Sequence, residues 1–251
     1  MFGAVVMLIA GMINGVAGFG FALVGTMALA SVVDPATAVV FMIVPILLVN
    51  LSLTRGLSLS ELETCGRRFA PLMIAALLGT VVGMMLLDRL PAGPLRIVLG
   101  IVSLGFVLNA QRIVSIPGRS TVREGCFVET PGWMVGIGGV SGVLFGGTNV
   151  GVQLVAYVRS CDLSEGLFIG VIGMVFVGLN GIRVILAGVL GLYPDVTTVL
   201  LSIAAALPAL VGVSIGTRLR VRIPEVWRRR AVLWLLTIIG LRLVIGGLGV
   251  L

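Results

Sequence analysis

The chain has 251 residues, 59% hydrophobic and 11% charged, with a formal charge of +7 and a mean hydropathy of +1.22; a soluble domain has about 45–50% apolar and about 25% charged residues. These values describe an all-α integral membrane protein, and long apolar runs without period-2 alternation exclude an outer-membrane barrel. All 17 basic residues are arginine and there is no histidine, so His-based metal, haem and acid/base sites and lysine Schiff bases are excluded.

The first apolar segment opens the chain at Met1-Phe-Gly-Ala without a basic n-region, and is expected to stay in the mature protein. In chain order the apolar segments fall at about 2–33, 35–54, 70–88, 94–111, 131–158, 164–190, 196–217 and 230–250, each compared with the length that crosses about 30 Å of hydrocarbon. Charges, prolines and polar clusters separate them, and the longest connectors are Arg55 to Phe69 and Arg112 to Thr130. Arginines lying between apolar runs signal topology and lipid headgroups, not nucleic acid. Cys65, Cys126 and Cys161 lack CxxC spacing, so neither a zinc site nor a disulfide framework is expected, and no cofactor.

A glycine-rich tract occurs twice: Gly15-Val-Ala-Gly18-Phe19-Gly20-Phe-Ala-Leu-Val, and Gly142-Val-Leu-Phe-Gly146-Gly147-Thr148-Asn149-Val-Gly151. Further matches keep step with them. Val49-Asn-Leu51-Ser-Leu-Thr-Arg55 aligns with Val177-Gly-Leu179-Asn-Gly-Ile-Arg183, Ile74-Ala75-Ala76 with Ile203-Ala204-Ala205, and Gly83 with Gly212. The chain reads as a tandem duplication of a four-segment unit, repeat 1 over about 1–113 and repeat 2 over about 131–251, joined by an Arg-containing connector at about 112–130.

Eight full crossings would divide the arginines evenly between the two faces, against the positive-inside rule. If segments 1 and 5 are broken helices or re-entrant hairpins, thirteen arginines from Arg55 to Arg230 share one face and only Arg89 and Arg96 take the other, with Arg183 and Arg242 inside spans. The repeats are then inverted, and the Arg-rich face is cytoplasmic.

A broken helix frees backbone N–H groups at the start of its outgoing half, where the macrodipole is positive. Two such ends near mid-membrane form a neutral, electropositive site for a small oxyanion. Gly18, Gly20, Gly146, Gly147 and Gly151 are placed there, with Asn14, Thr148, Asn149 and Gln153 as hydrogen-bonding side chains. Gly11, Gly15, Gly79 and Gly83 read as helix-packing glycines. Arg183, inside a span beside Asn180, serves the site or snorkels to the headgroups. No acidic residue lies deep in any span, so a cationic substrate or metal lacks a counter-charge.

The paired tracts, Gly15-x-x-Gly18-Phe19-Gly20-Phe-x-Leu-Val and Gly146-Gly147-Thr148-Asn149-Val-Gly151-Val, resemble those of the sulfite exporter TauE/SafE family, also called toluene-sulfonate uptake permeases, across essentially the whole chain. The resemblance implies a multi-pass cell-membrane permease, not an enzyme, for sulfur-containing anions such as sulfite, sulfonates, sulfoacetate or thiosulfate. It implies that Gly18, Phe19 and Gly20, with Gly146 to Gly151, line the substrate site. Where the family pattern often has a proline after the second tract, this chain has Gln153. The expected partners are a small anion and membrane lipid, with a homo-oligomer open. A passive anion channel and a non-transporting membrane assembly protein are the alternatives; an intramembrane enzyme lacks a nucleophile with its base.

Overall fold

The computed structural model describes residues 2–17, 20–54, 58–87, 91–111, 131–159, 165–220 and 225–249, with Arg89, Leu163 and Arg222 between them. Among these residues the regular structure is all α-helical: α1 (Phe2–Ala17), α2 (Phe21–Ala30), α3 (Pro35–Thr54), α4 (Leu59–Arg68), α5 (Ala70–Leu87), α6 (Ala92–Gln111), α7 (Pro131–Thr148), α8 (Val152–Arg159), α9 (Glu165–Val189), α10 (Val196–Arg220) and α11 (Glu225–Gly247). α3, α5, α9 and α10 are long and apolar enough to cross a membrane. Large apolar side chains stand exposed along whole helix faces, Ile74, Leu78, Val82 and Met85 on α5 and Leu200, Ile203, Leu207 and Val211 on α10. Water would penalise such continuous faces; lipid tails do not.

Segments 1 and 5 are each interrupted. The first divides into helices of 16 and 10 residues, and the second into helices of 18 and 8. At 1.5 Å per residue all four pieces fall short of about 30 Å of hydrocarbon.

Helix starts follow their side chains. Asp34 caps α3, accepting the Thr37 N–H at 3.0 Å, and Asp195 caps α10, accepting the Thr198 N–H at 2.6 Å. The two Thr198 hydrogen bonds hold the exposed Asp195 carboxyl below the ordinary carboxylate value. The connector from Arg55 to Phe69 contains a helix that segment boundaries alone did not suggest. In α4, Arg67 and Arg68 lie in the last turn, which complements the dipole. Glu63 and Arg67 pair at 2.7 Å on its exposed face, while Cys65, and Phe69 just beyond the helix, are buried beneath it.

Pro45 lies inside α3 and has no N–H for the Phe41 carbonyl one turn back. The Ser202 hydroxyl of α10 donates to that carbonyl at 2.6 Å, so a neighbouring helix supplies the missing donor.

Two glycine seams bring backbones together. In α1, a Cβ added to Gly11 or Gly15 would strike the Ala209 or Val213 carbonyl of α10, and one added to Gly212 or Gly216 would strike the Leu8 or Met12 carbonyl in return. α5 and α7 repeat the arrangement, Gly79 and Gly83 against Gly139 and Val143, and Gly138, Gly142 and Gly146 against Leu72, Ala76 and Thr80. The packing role expected of Gly11, Gly15, Gly79 and Gly83 is thus seen directly. α3 also packs on α9, α6 on α11, α10 on α3 and α5 on α9.

Candidate functional site

Each break uses a left-handed residue to turn the chain. Gly20 precedes α2 with φ 102, and Asn149 follows α7 with φ 60; glycine occupies this region without penalty, and asparagine is among the side chains that tolerate it. At the first break, the Asn14 Oδ1 of α1 accepts the Phe21 N–H at 3.2 Å. This bond fixes the amide orientation and leaves Asn14 Nδ2 buried without a partner among the described residues. The next N–H groups, of Ala22 and Leu23, have no intrahelical acceptor by helix geometry, while the Val24 N–H reaches the Gly20 carbonyl at 2.9 Å.

At the second break, the Asn149 N–H still closes a helical turn onto the Phe145 carbonyl at 2.9 Å. Its side chain crosses to the other half of the protein. Asn149 Nδ2 donates to Thr26 Oγ1 of α2 at 2.8 Å and to the Val39 carbonyl of α3 at 3.0 Å. A carbonyl can only accept, so the free atom is Asn149 Oδ1. The Thr148 hydroxyl donates to the Leu144 carbonyl and accepts the Val150 N–H at 3.2 Å, bracing the turn.

Arg183 is fully buried in α9. Its Nη1 donates to Asn180 Oδ1 at 3.2 Å, its Nη2 donates to the Gly146 carbonyl at 3.3 Å, and its guanidinium lies 4.9 Å from the centroid of the Phe145 ring. The Gly146 carbonyl belongs to the last turn of α7, where carbonyls are orphaned and the dipole is negative, so the cation caps the broken helix. Burial excludes the snorkelling alternative.

A cavity of about 50 Å³ lies where the two breaks meet, lined by Asn14, Gly20, Phe21, Ala22 and Leu23 from the first, Asn149, Gly151 and Val155 from the second, Asn50 and Leu53 of α3, and Ile172 and Phe176 of α9. One water needs about 10–15 Å³ on this measure, so the space suits a few waters or one small oxyanion. Its polar side chains are three asparagines, and none of its lining residues is ionisable. Among the described residues no group of His, Cys, Asp or Glu could hold a metal ion.

A family model described as sulfite exporter TauE/SafE matches residues 3–243. The chain belongs to that family. TauE/SafE membership implies a membrane transporter of sulfite or related sulfur anions. No curated protein and no solved structure matches the chain.

In this TauE/SafE protein, Asn14, Gly20, Asn149 and Gly151 are brought together on one cavity wall. Gly18 and Phe19 lie outside the described residues, as do Cys126 and Cys161. Gly146 sits in the α5–α7 seam, with its own carbonyl bound to Arg183. Gly147 and Thr148 are buried at the end of α7 and do not line the cavity. Gln153 lies in the first turn of α8, off the lining, with its Oε1 buried and unpartnered among the described residues. Arg183 stands one layer behind, across the Phe145 and Phe176 rings, whose centroids are 5.1 Å apart. Asn50 lines the cavity although sequence reasoning gave it no role. An amide inside an apolar run was the available signal, and Thr26, the one polar side chain of α2, was a second.

Proposed function

We propose that the protein is a secondary permease of the cell membrane that carries small sulfur-containing anions, sulfite, sulfonates or thiosulfate, by alternating access between two inverted repeats. The observation that carries the reading is the cavity itself: both helix breaks reach it, and the free donors of a helix start and of Asn14 offer neutral hydrogen bonds to an oxyanion. Packing supports the repeats. α3 against α9 and α6 against α11 are pairs that a two-fold axis maps onto themselves, and it exchanges α1–α10 with α7–α5, and α10–α3 with α5–α9. Repeat 1 over about 1–113 and repeat 2 over about 131–251 fit this pairing, and the Arg-rich connectors put the cytoplasm on their side.

The test is uptake of labelled sulfite into proteoliposomes, with competition by sulfonates, thiosulfate, sulfate and chloride. Asn50→Leu is the diagnostic variant, because the Asn50 amide bonds only the Ile46 carbonyl of its own helix and the replacement is similar in size. It should lower uptake about tenfold, the effect of losing one neutral hydrogen bond of about 1.4 kcal/mol to the anion. Unchanged uptake in this variant moves the substrate elsewhere, and flux that does not saturate makes the protein a channel.

A further inference from the structure

Arg183 has no ionic partner among the described residues. Of the helices that form and support the cavity, α1, α2, α3, α5 and α7 contain no ionisable residue, α8 contains Tyr157 and Arg159, and in α9 the only other one is Glu165 in the first turn, eighteen residues away. The guanidinium is bonded to two neutral acceptors, and its Nε has no partner among the described residues. A guanidinium cannot shed its proton to escape burial. A buried cation in this setting needs a counter-charge.

Among the described residues, the contacts that link Arg183 to the cavity are aromatic. Phe145 stacks on the guanidinium and touches Phe176, which lines the cavity. A Cβ on Gly151 would strike the Phe176 ring and lie 3.2 Å from Phe145, so glycine is what lets the chain pass close to both rings. Aromatic walls screen charge far less than water.

Resting on the anion-carrier reading and narrowing its substrate list, we infer that this cavity selects by charge number: it accepts singly charged oxyanions such as hydrogensulfite and alkyl sulfonates, and rejects the dianions sulfate and fully deprotonated sulfite and, of the anions named above, thiosulfate. One monoanion balances one arginine across the aromatic wall. A dianion brings a second negative charge into a low-dielectric space with three amides and a helix start to meet it, and no second cation. The free Asn149 Oδ1 agrees, since an acceptor suits the hydroxyl of hydrogensulfite.

Of the groups packed around Arg183, the titratable one close to it is Tyr193, in the connector between α9 and α10. Burial raises the Tyr193 phenol above its ordinary value, against the opposing pull of Arg183, so it stays neutral near pH 7. By sequence, α8 carries Tyr157 and Arg159, and α4 carries Glu61, Glu63, Arg67 and Arg68.

The experiment is uptake of labelled methanesulfonate, sulfate and sulfite by the full-length protein in proteoliposomes, over a pH range spanning loss of the hydrogensulfite proton. Sulfite uptake should fall about tenfold per pH unit above that point, methanesulfonate uptake should stay flat, and excess sulfate should not compete. Arg183→Gln should lower uptake of both monoanions at least tenfold, because the Coulomb attraction across the aromatic wall is lost, and Arg183→Lys should preserve the preference for one charge. The wild-type pH series decides the matter even where a variant does not fold. Sulfate carried as fast as methanesulfonate, or sulfite uptake indifferent to pH, overturns the inference and leaves the carrier standing. No uptake of any of the three overturns both.

Discussion

The two helix breaks solve one problem with different chemistry. At the first, a glycine makes the left-handed turn, and Asn14, upstream in the same broken segment, caps the outgoing half-helix. At the second, the asparagine makes the turn itself, which frees its amide to reach Thr26 and Val39 of the opposite half. The carbonyl end of the second is held by Arg183 of α9. One break is therefore closed locally, and the other is tied to its surroundings by three hydrogen bonds. If the two halves are the repeats we propose, the place of a break is shared while its means of support differs.

Substitutions at three positions would break or sharpen this contrast. The largest effect is expected of Asn149→Ala, which loses both cross-half bonds and puts a Cβ without a compensating amide at positive φ. The cost should be roughly 2–4 kcal/mol, read as thermal unfolding in detergent. Asn149→Gly restores the backbone freedom alone, so a wild-type melt for that variant would show that the cross-half bonds contribute nothing. Gly20→Ala should be milder, about 1–2 kcal/mol, because an added Cβ meets nothing within 4 Å and only the φ of 102 opposes it. A loss as large as that of Asn149→Ala would remove the distinction between a local and a tied break. The smallest change in stability should come from Asn14→Ala, about 1 kcal/mol for a lost helix cap, partly offset because its unpartnered Nδ2 goes too. Its sulfite uptake should nevertheless fall, and the reading of Asn14 as a cavity donor does not survive normal uptake.

Much of this was legible in the residues. Apolar run length and punctuation locate the four described helices long and apolar enough to cross a membrane: the segment expected at 35–54 is α3 to the residue and the segment at 164–190 is α9 to within one at each end. The breaks were readable because glycine and asparagine cluster where an unbroken span would be longer than the membrane. Arg183 was not readable. An arginine within two turns of a helix end can reach the headgroups or turn inward, and which it does depends on Phe145 and Gly146 in another helix. Asn50 was passed over for a similar reason: its amide is polar in any fold, but only the meeting of α3 with both breaks makes it part of a wall. α4 is not legible in the sequence because ten residues rich in charged and polar side chains resemble a connector by composition. The glycines of α1 and α5 announced close packing, yet a small-residue face does not name the helix it will meet.

That last point has a mechanical side. α1 is joined backbone to backbone with α10, and α7 with α5, and both seams cross from one sequence half to the other. Surfaces meshed without side chains between them resist sliding and lateral separation more than side-chain contacts do. The bodies able to turn as units are thus composites, each built around one broken helix and its companion from the other sequence half, and the midpoint of the chain is not the boundary along which the molecule can flex.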